Sequence, residues 1–119
     1  MLPLTPEIVS AMYACLHMMP PFSGWKLPPA EDVEFRVNKK RHTMGEYSRY
    51  AWTTDHIVTV SSATIGHFAT LAAVVAHEMI HLKQAVDKTE PKRAGGHNAE
   101  SRRLAKQVCT IHGWDYKAF

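Results

Sequence analysis

A chain of 119 residues, 45% hydrophobic and 21% charged, has the composition of one globular domain spanning 1–119, and excludes a disordered polymer or a pair of domains. No run of about eighteen apolar residues is present to span a membrane, and the first twenty residues lack a basic leader and are broken by Glu7, Ser10 and His17, so an intracellular protein is expected. Cys15 and Cys109 form no Cys-x-x-Cys pair and read as core thiols, and a net charge of +3 permits an acidic partner such as nucleic acid without requiring one.

Thr5-Pro6-Glu7 combines a capping hydroxyl, a proline suited to the first helical position and an acid in the first turn. Ile8, Met12, Leu16 and Met19 follow at helical spacing, which predicts a helix from about Pro6 to Met18, stopped by Pro20-Pro21, with Met12, Met18 and Met19 filling gaps in the core. Residues 20–32, with four prolines and Gly24, read as a surface connection anchored by Trp25. Val33, Phe35 and Val37 then alternate with polar residues as in a half-buried strand. Lys39-Lys40-Arg41-His42 reads as the solvated tip of a hairpin, with contact to nucleic acid as the functional alternative. Gly45 to Trp52 and His56 to Ser61, rich in β-branched and aromatic residues and separated by Thr53-Thr54-Asp55, complete a three-stranded antiparallel sheet.

Ser61-Ser62-Ala63-Thr64 offers capping hydroxyls for a long helix placed at about Gly66 to Val86. The polar loop from Asp87 to Gly96, containing Gly95-Gly96, returns the chain to a third helix from about Asn98 to His112. Its inner stripe is Leu104, Val108 and Ile111. The whole reads as α+β.

Within the long helix stands His77-Glu78-Met79-Ile80-His81. Two imidazoles four residues apart lie one turn above the other and can share one zinc ion, while Glu78 is placed to take a proton from water. The apolar residues Leu71 to Ala76, Met79, Ile80 and Leu82 would bury this helix and keep the site partly dry. His97 is the preferred third ligand: seven positions before Leu104, it should point to the buried side of the third helix at its entrance. Glu100 is the rival third ligand, although a place in the first turn already suits a carboxylate. With three ligands and an open fourth position, the expected chemistry is peptide hydrolysis without a covalent intermediate, with Glu78 as general base. His17, His42, His56, His67 and His112 lack ligand spacing and read as structural. Tyr47, Tyr50 and Tyr116 could stabilise an oxyanion, but no spacing favours any of them.

His77-Glu78-Met79-Ile80-His81, followed after fifteen residues by His97 and then by Arg103-Leu104-Ala105, resembles the SprT-like zinc metalloprotease family. The upstream outline is similar too, with a leading helix, a strand, a Gly45-Glu46-Tyr47 hairpin and the strand His56 to Ser61. The resemblance implies a minimal zincin-like fold and a zinc-dependent endopeptidase in which His77, His81 and His97 bind zinc and Glu78 is catalytic. It also implies an edge strand that holds an extended protein or peptide substrate and, more weakly, an association with DNA-bound proteins. The chain departs from the family pattern at Asn98, where a glycine is usual, and within these 119 residues there is no cysteine-rich zinc ribbon. Any contact with DNA would therefore use Lys39, Lys40, Arg41, Arg102, Arg103 and Lys106 on the domain surface. A zinc-stabilised binding module with little hydrolytic activity is the alternative function.

Overall fold

The Thr5 side chain accepts a hydrogen bond from the Ile8 amide and so opens the first helix, α1, which runs over Pro6–His17. The computed structural model describes residues 3–49, 55–93 and 96–119. After α1 come the strands β1 (Val33–Asn38), β2 (Gly45–Arg49) and β3 (His56–Ser61), then the helices α2 (Phe68–Asp87) and α3 (Ala99–His112). The expected continuation of the second strand over 50–52, the turn residues Thr53 and Thr54, Tyr50 as a candidate and Gly95 of the loop lie outside the described residues.

The buried face of α1 is Val9, Tyr13 and Leu16; Leu16 is buried as expected, while Val9 and Tyr13 take the places expected of Ile8 and Met12, which lie at the margin. Met19 packs at the edge of the core as expected, whereas Met18 is 80% exposed and fills nothing. The proline-rich connection is tied back to α1 by the Tyr13 hydroxyl, which donates to the Pro28 carbonyl at 2.7 Å, and by His17 Nε2, which donates to the Leu27 carbonyl at 2.9 Å. Trp25 meets Phe22 edge to face, as an anchor should.

The sheet is mixed, not antiparallel throughout, and its order is β1-β3-β2. β3 pairs in parallel with β1, Phe35 opposite Val58, and antiparallel with β2, Tyr47 opposite Val58. The physical reason lies in β3, every residue of which is buried, so that it takes the central position and separates two strands that would otherwise form a hairpin. Lys39 to Met44 consequently span the end of β3 and are not a hairpin tip. Ser61 N donates to the Met44 carbonyl at 2.8 Å, Ser62 N to the Asn38 carbonyl at 2.9 Å, and Ser61 Oγ to the Lys40 carbonyl.

Helix α2 starts later than expected because the hydroxyls of Ser61 and Thr64 bond within their own turn and that of Ser62 donates to the Asn38 carbonyl, and His67 stands at its N-cap without a side-chain bond. α1 packs on β1, α2 packs on α1, β2 and β3, and α3 packs on the far flank of α2. In α3 the buried residues include Leu104, Val108 and Cys109, while Ile111 is 47% exposed and leaves the expected stripe. Cys109 is the core thiol anticipated; Cys15 is exposed, since it falls on the outer face of α1. Among the described residues no helix is long and apolar enough to cross a membrane.

Candidate metal centre

Residues 77 and 81 lie on one side of α2, and the chain re-enters α3 beside them. The ring centroids of His77 and His81 stand 5.2 Å apart, and the His97 ring lies 5.1 Å from the first and 5.3 Å from the second. One nitrogen from each lies within 4.8 Å of the others, close enough to hold a metal ion. Metal–nitrogen bonds of about 2 Å put tetrahedral ligand atoms roughly 3.3 Å apart, so small ring rotations close the remaining gap. The donor set, three imidazole nitrogens, suits a borderline-soft divalent ion.

The position of His97 differs from expectation. Helix α3 begins at Ala99 with Asn98 as its N-cap, so His97 precedes the helix and is exposed rather than inward-facing. It meets the other two imidazoles from the loop side. Glu100 is not part of the cluster: it accepts bonds from Thr89 Oγ1 at 2.6 Å and Gln84 Nε2 at 3.1 Å, which hold its carboxyl below the usual range.

His77 Nδ1 lies 3.1 Å from the Phe119 carbonyl oxygen. A carbonyl only accepts, so Nδ1 carries the proton and Nε2 keeps its lone pair for a metal. Burial, then the neighbouring His97, lowers the His77 pKa against the raising effect of that carbonyl. Burial and the imidazoles of His77 and His97 push His81 down to about 4. Both rings therefore stay neutral, the form that can ligate a metal, below the pH at which an ordinary histidine protonates.

Glu78 is 4% exposed and belongs to the same helical turn. Burial first, and the Glu46 carboxylate second, push its carboxyl up to about 8. A Cβ at Gly45 would stand 3.2 Å from Glu78 Oε2 and 2.6 Å from Val74 Cγ1, so the missing side chain is what allows β2 to lie against α2 at this point. Residues 45–49 of β2 line a cavity of about 510 Å³ that also takes in His77, Glu78, His81 and His97. β2 ends the sheet, and its outer edge carries no strand among the described residues. A smaller cavity of about 280 Å³ touches the same three imidazoles and is walled by Ile80, Ala105, Tyr116 and Phe119.

Tyr47 lines the larger cavity and Tyr116 the smaller. The Tyr47 hydroxyl is held 2.5 Å from His56 Nδ1, and burial, followed by Glu90, pushes its pKa up to about 12. His56 and His112 lie outside the imidazole cluster, the former bonded to Tyr47 and the latter donating from Nε2 to the Pro20 carbonyl at 2.8 Å. The cations proposed for nucleic acid are all exposed. Lys40 pairs with Glu46 at 3.2 Å, Lys106 lies over the Tyr116 ring, and Arg102 borders the smaller cavity.

Three features beside the site escape a reading of the sequence: the Phe119 carbonyl, the close approach at Gly45, and Gln84, which is fully buried on α2. Only Gln84 leaves a trace there, as a polar residue at positions i, i+4, i+7 with the two histidines. Neither a protein-family model nor a curated protein matches the chain.

Proposed function

We propose that this chain is a zinc-dependent endopeptidase of the SprT-like type with a minimal zincin-like fold. The observation that carries the reading is the convergence of His77, His81 and His97 beside a buried carboxyl, Glu78, in a cavity bordered by an edge strand. Bound zinc supplies polarisation of the scissile carbonyl and acidification of the attacking water. His77, His81 and His97 would hold it, and the Phe119 carbonyl fixes the His77 tautomer that leaves Nε2 free. Glu78 accepts a proton from the water as its oxygen attacks the carbonyl carbon, and returns that proton to the amine nitrogen as the carbon–nitrogen bond breaks. Burial raises the basicity of Glu78 and, without metal, favours its protonated form at neutral pH; the positive charge of a bound divalent ion would favour the carboxylate that accepts the proton.

An extended peptide laid along β2 would pair with the N–H and C=O groups of the edge that meets no strand among the described residues, placing a backbone carbonyl within reach of the imidazole cluster. Main-chain pairing of this kind tolerates many side chains, which fits an enzyme acting on unfolded or partly unfolded proteins, including those associated with DNA. Exposed Lys39, Arg41, Arg102 and Arg103 would supply the phosphate contacts.

The deciding experiment compares wild type with Glu78→Gln, each loaded with one equivalent of zinc and offered an unstructured protein substrate. Equal zinc content with hydrolysis reduced by about 10² to 10⁴ in the variant is the expected result. Equal hydrolysis by both proteins would remove Glu78 as the base. Zinc uptake with no hydrolysis by either, together with salt-sensitive DNA binding by both, would select the binding module.

A further inference from the structure

Gln84 is 0% exposed, an unusual position for a side-chain amide, and it stands three residues after His81 and seven after His77 on the same side of α2. Its Nε2 donates to Asn98 Oδ1 at 2.9 Å and to Glu100 Oε1 at 3.1 Å. Asn98 Oδ1 already accepts from Ser101 N at 2.9 Å, and Glu100 Oε1 from Thr89 Oγ1 at 2.6 Å. Both neighbours are therefore acceptors, and the amide of Gln84 has only one orientation that satisfies them. Its Oε1 is left buried with no hydrogen-bond partner among the described residues. Such an orphan is unfavourable, and an apolar side chain of the same shape would avoid it.

What the amide achieves is local. Thr89, at the start of the loop, is bonded through its amide to the Gln84 carbonyl at 2.8 Å, and its own carbonyl accepts from Asn98 Nδ2 at 3.3 Å. Asn98, at the end of the loop, is bonded to the Gln84 side chain. Both ends of the segment 89–98 thus meet at one residue of α2, and His97 is one peptide bond from Asn98. We propose that Gln84 is a positioning residue for the metal centre, a latch that fixes His97 against the two histidines of α2 through Asn98 and Glu100. This rests on the metal-binding part of the proposed function. His97 precedes α3 and is exposed, so neither the hydrogen bonds of the helix nor burial in the core holds its ring in place.

The test is zinc affinity by competition with a chromophoric chelator, measured beside the thermal midpoint of the metal-free protein, for wild type, Gln84→Met and Asn98→Ser. Methionine keeps the volume of Gln84 and removes the orphan, and the acceptors it abandons retain Ser101 and Thr89 as donors. Serine keeps a competent N-cap but does not reach Gln84. The expected result is zinc affinity lower by about 10- to 100-fold in both variants, with the metal-free midpoint of Gln84→Met equal to or above that of wild type. Unchanged affinity in the variants would overturn the proposal, as would a metal-free midpoint of Gln84→Met that falls in step with affinity, since that is the mark of a purely structural residue. Should Gln84→Met not fold, Asn98→Ser decides alone. A wild-type protein that takes up no zinc would instead sink the metal reading itself.

Discussion

On the proposed mechanism Glu78 carries two opposed demands, burial beside apolar residues and ionisation for proton transfer, and the conflict is measurable without any substrate. Folding raises its pKa from 4.5 to about 8, so the folded state favours the protonated acid. The stability this contributes is complete below pH 4.5 and is lost as pH rises through about 8. His81 has the opposite sign: its pKa falls from 6.5 to about 4, so its contribution is complete above pH 6.5 and is lost as pH falls through about 4. Of the two, only Glu78 titrates between pH 6.5 and 8. Protein stripped of metal should therefore lose about 2 kcal/mol of unfolding free energy across that interval, and Glu78→Gln should not. Urea unfolding at the two pH values checks this, and parallel losses in both proteins would place the pH dependence elsewhere.

At the scale of elements, the site depends on how closely β2 approaches α2. Gly45 is the contact point, and Gly45→Ala would set a methyl group 2.6 Å from Val74 Cγ1 and 3.2 Å from the Glu78 carboxylate. Val74 is buried and branched, so the strain is relieved by moving the strand; a loss of about 1 to 3 kcal/mol in stability is expected. The proposed hydrolysis should fall by more than stability explains, because β2 and Glu78 are displaced together, and full activity in a stable Gly45→Ala protein would separate the strand from the site. This approach is invisible in sequence, where Gly45 stands merely as the first residue of a strand. The existence of the strands is legible from β-branched residues, but their order is tertiary: the choice of β3 as centre follows from burial on both faces, of which the run Ile57-Val58-Thr59-Val60 is the only trace. Likewise the His77–His81 pair is legible because four residues of α-helix fix it locally. The placement of His97 is not, because it depends on a loop whose ends are held by side-chain bonds to Gln84 and Thr89.

For the molecule as a whole, the proposed zinc site would join parts that the core joins only indirectly. α2 is fixed in the core by Leu71, Val75, Met79 and Leu82, whereas α3 adds the smaller buried face of Leu104, Val108 and Cys109. The segment 113–119 returns to α2 through Phe119, whose carbonyl meets His77 and whose ring stacks on Trp114. An ion held by His77, His81 and His97 would thus tie α2 to the start of α3 and, through His77, steady the final turn. Because binding requires the folded arrangement, free zinc at a hundred times its dissociation constant should add about 2.7 kcal/mol. In a domain of this size that corresponds to a rise of roughly 10 °C in the thermal midpoint. Calorimetry with zinc and with a chelator should show that rise in wild type and little of it in His97→Ala at the same zinc concentration. Equal shifts in the two proteins would mean that zinc stabilises the fold from some other place, and that the loop histidine is not a ligand.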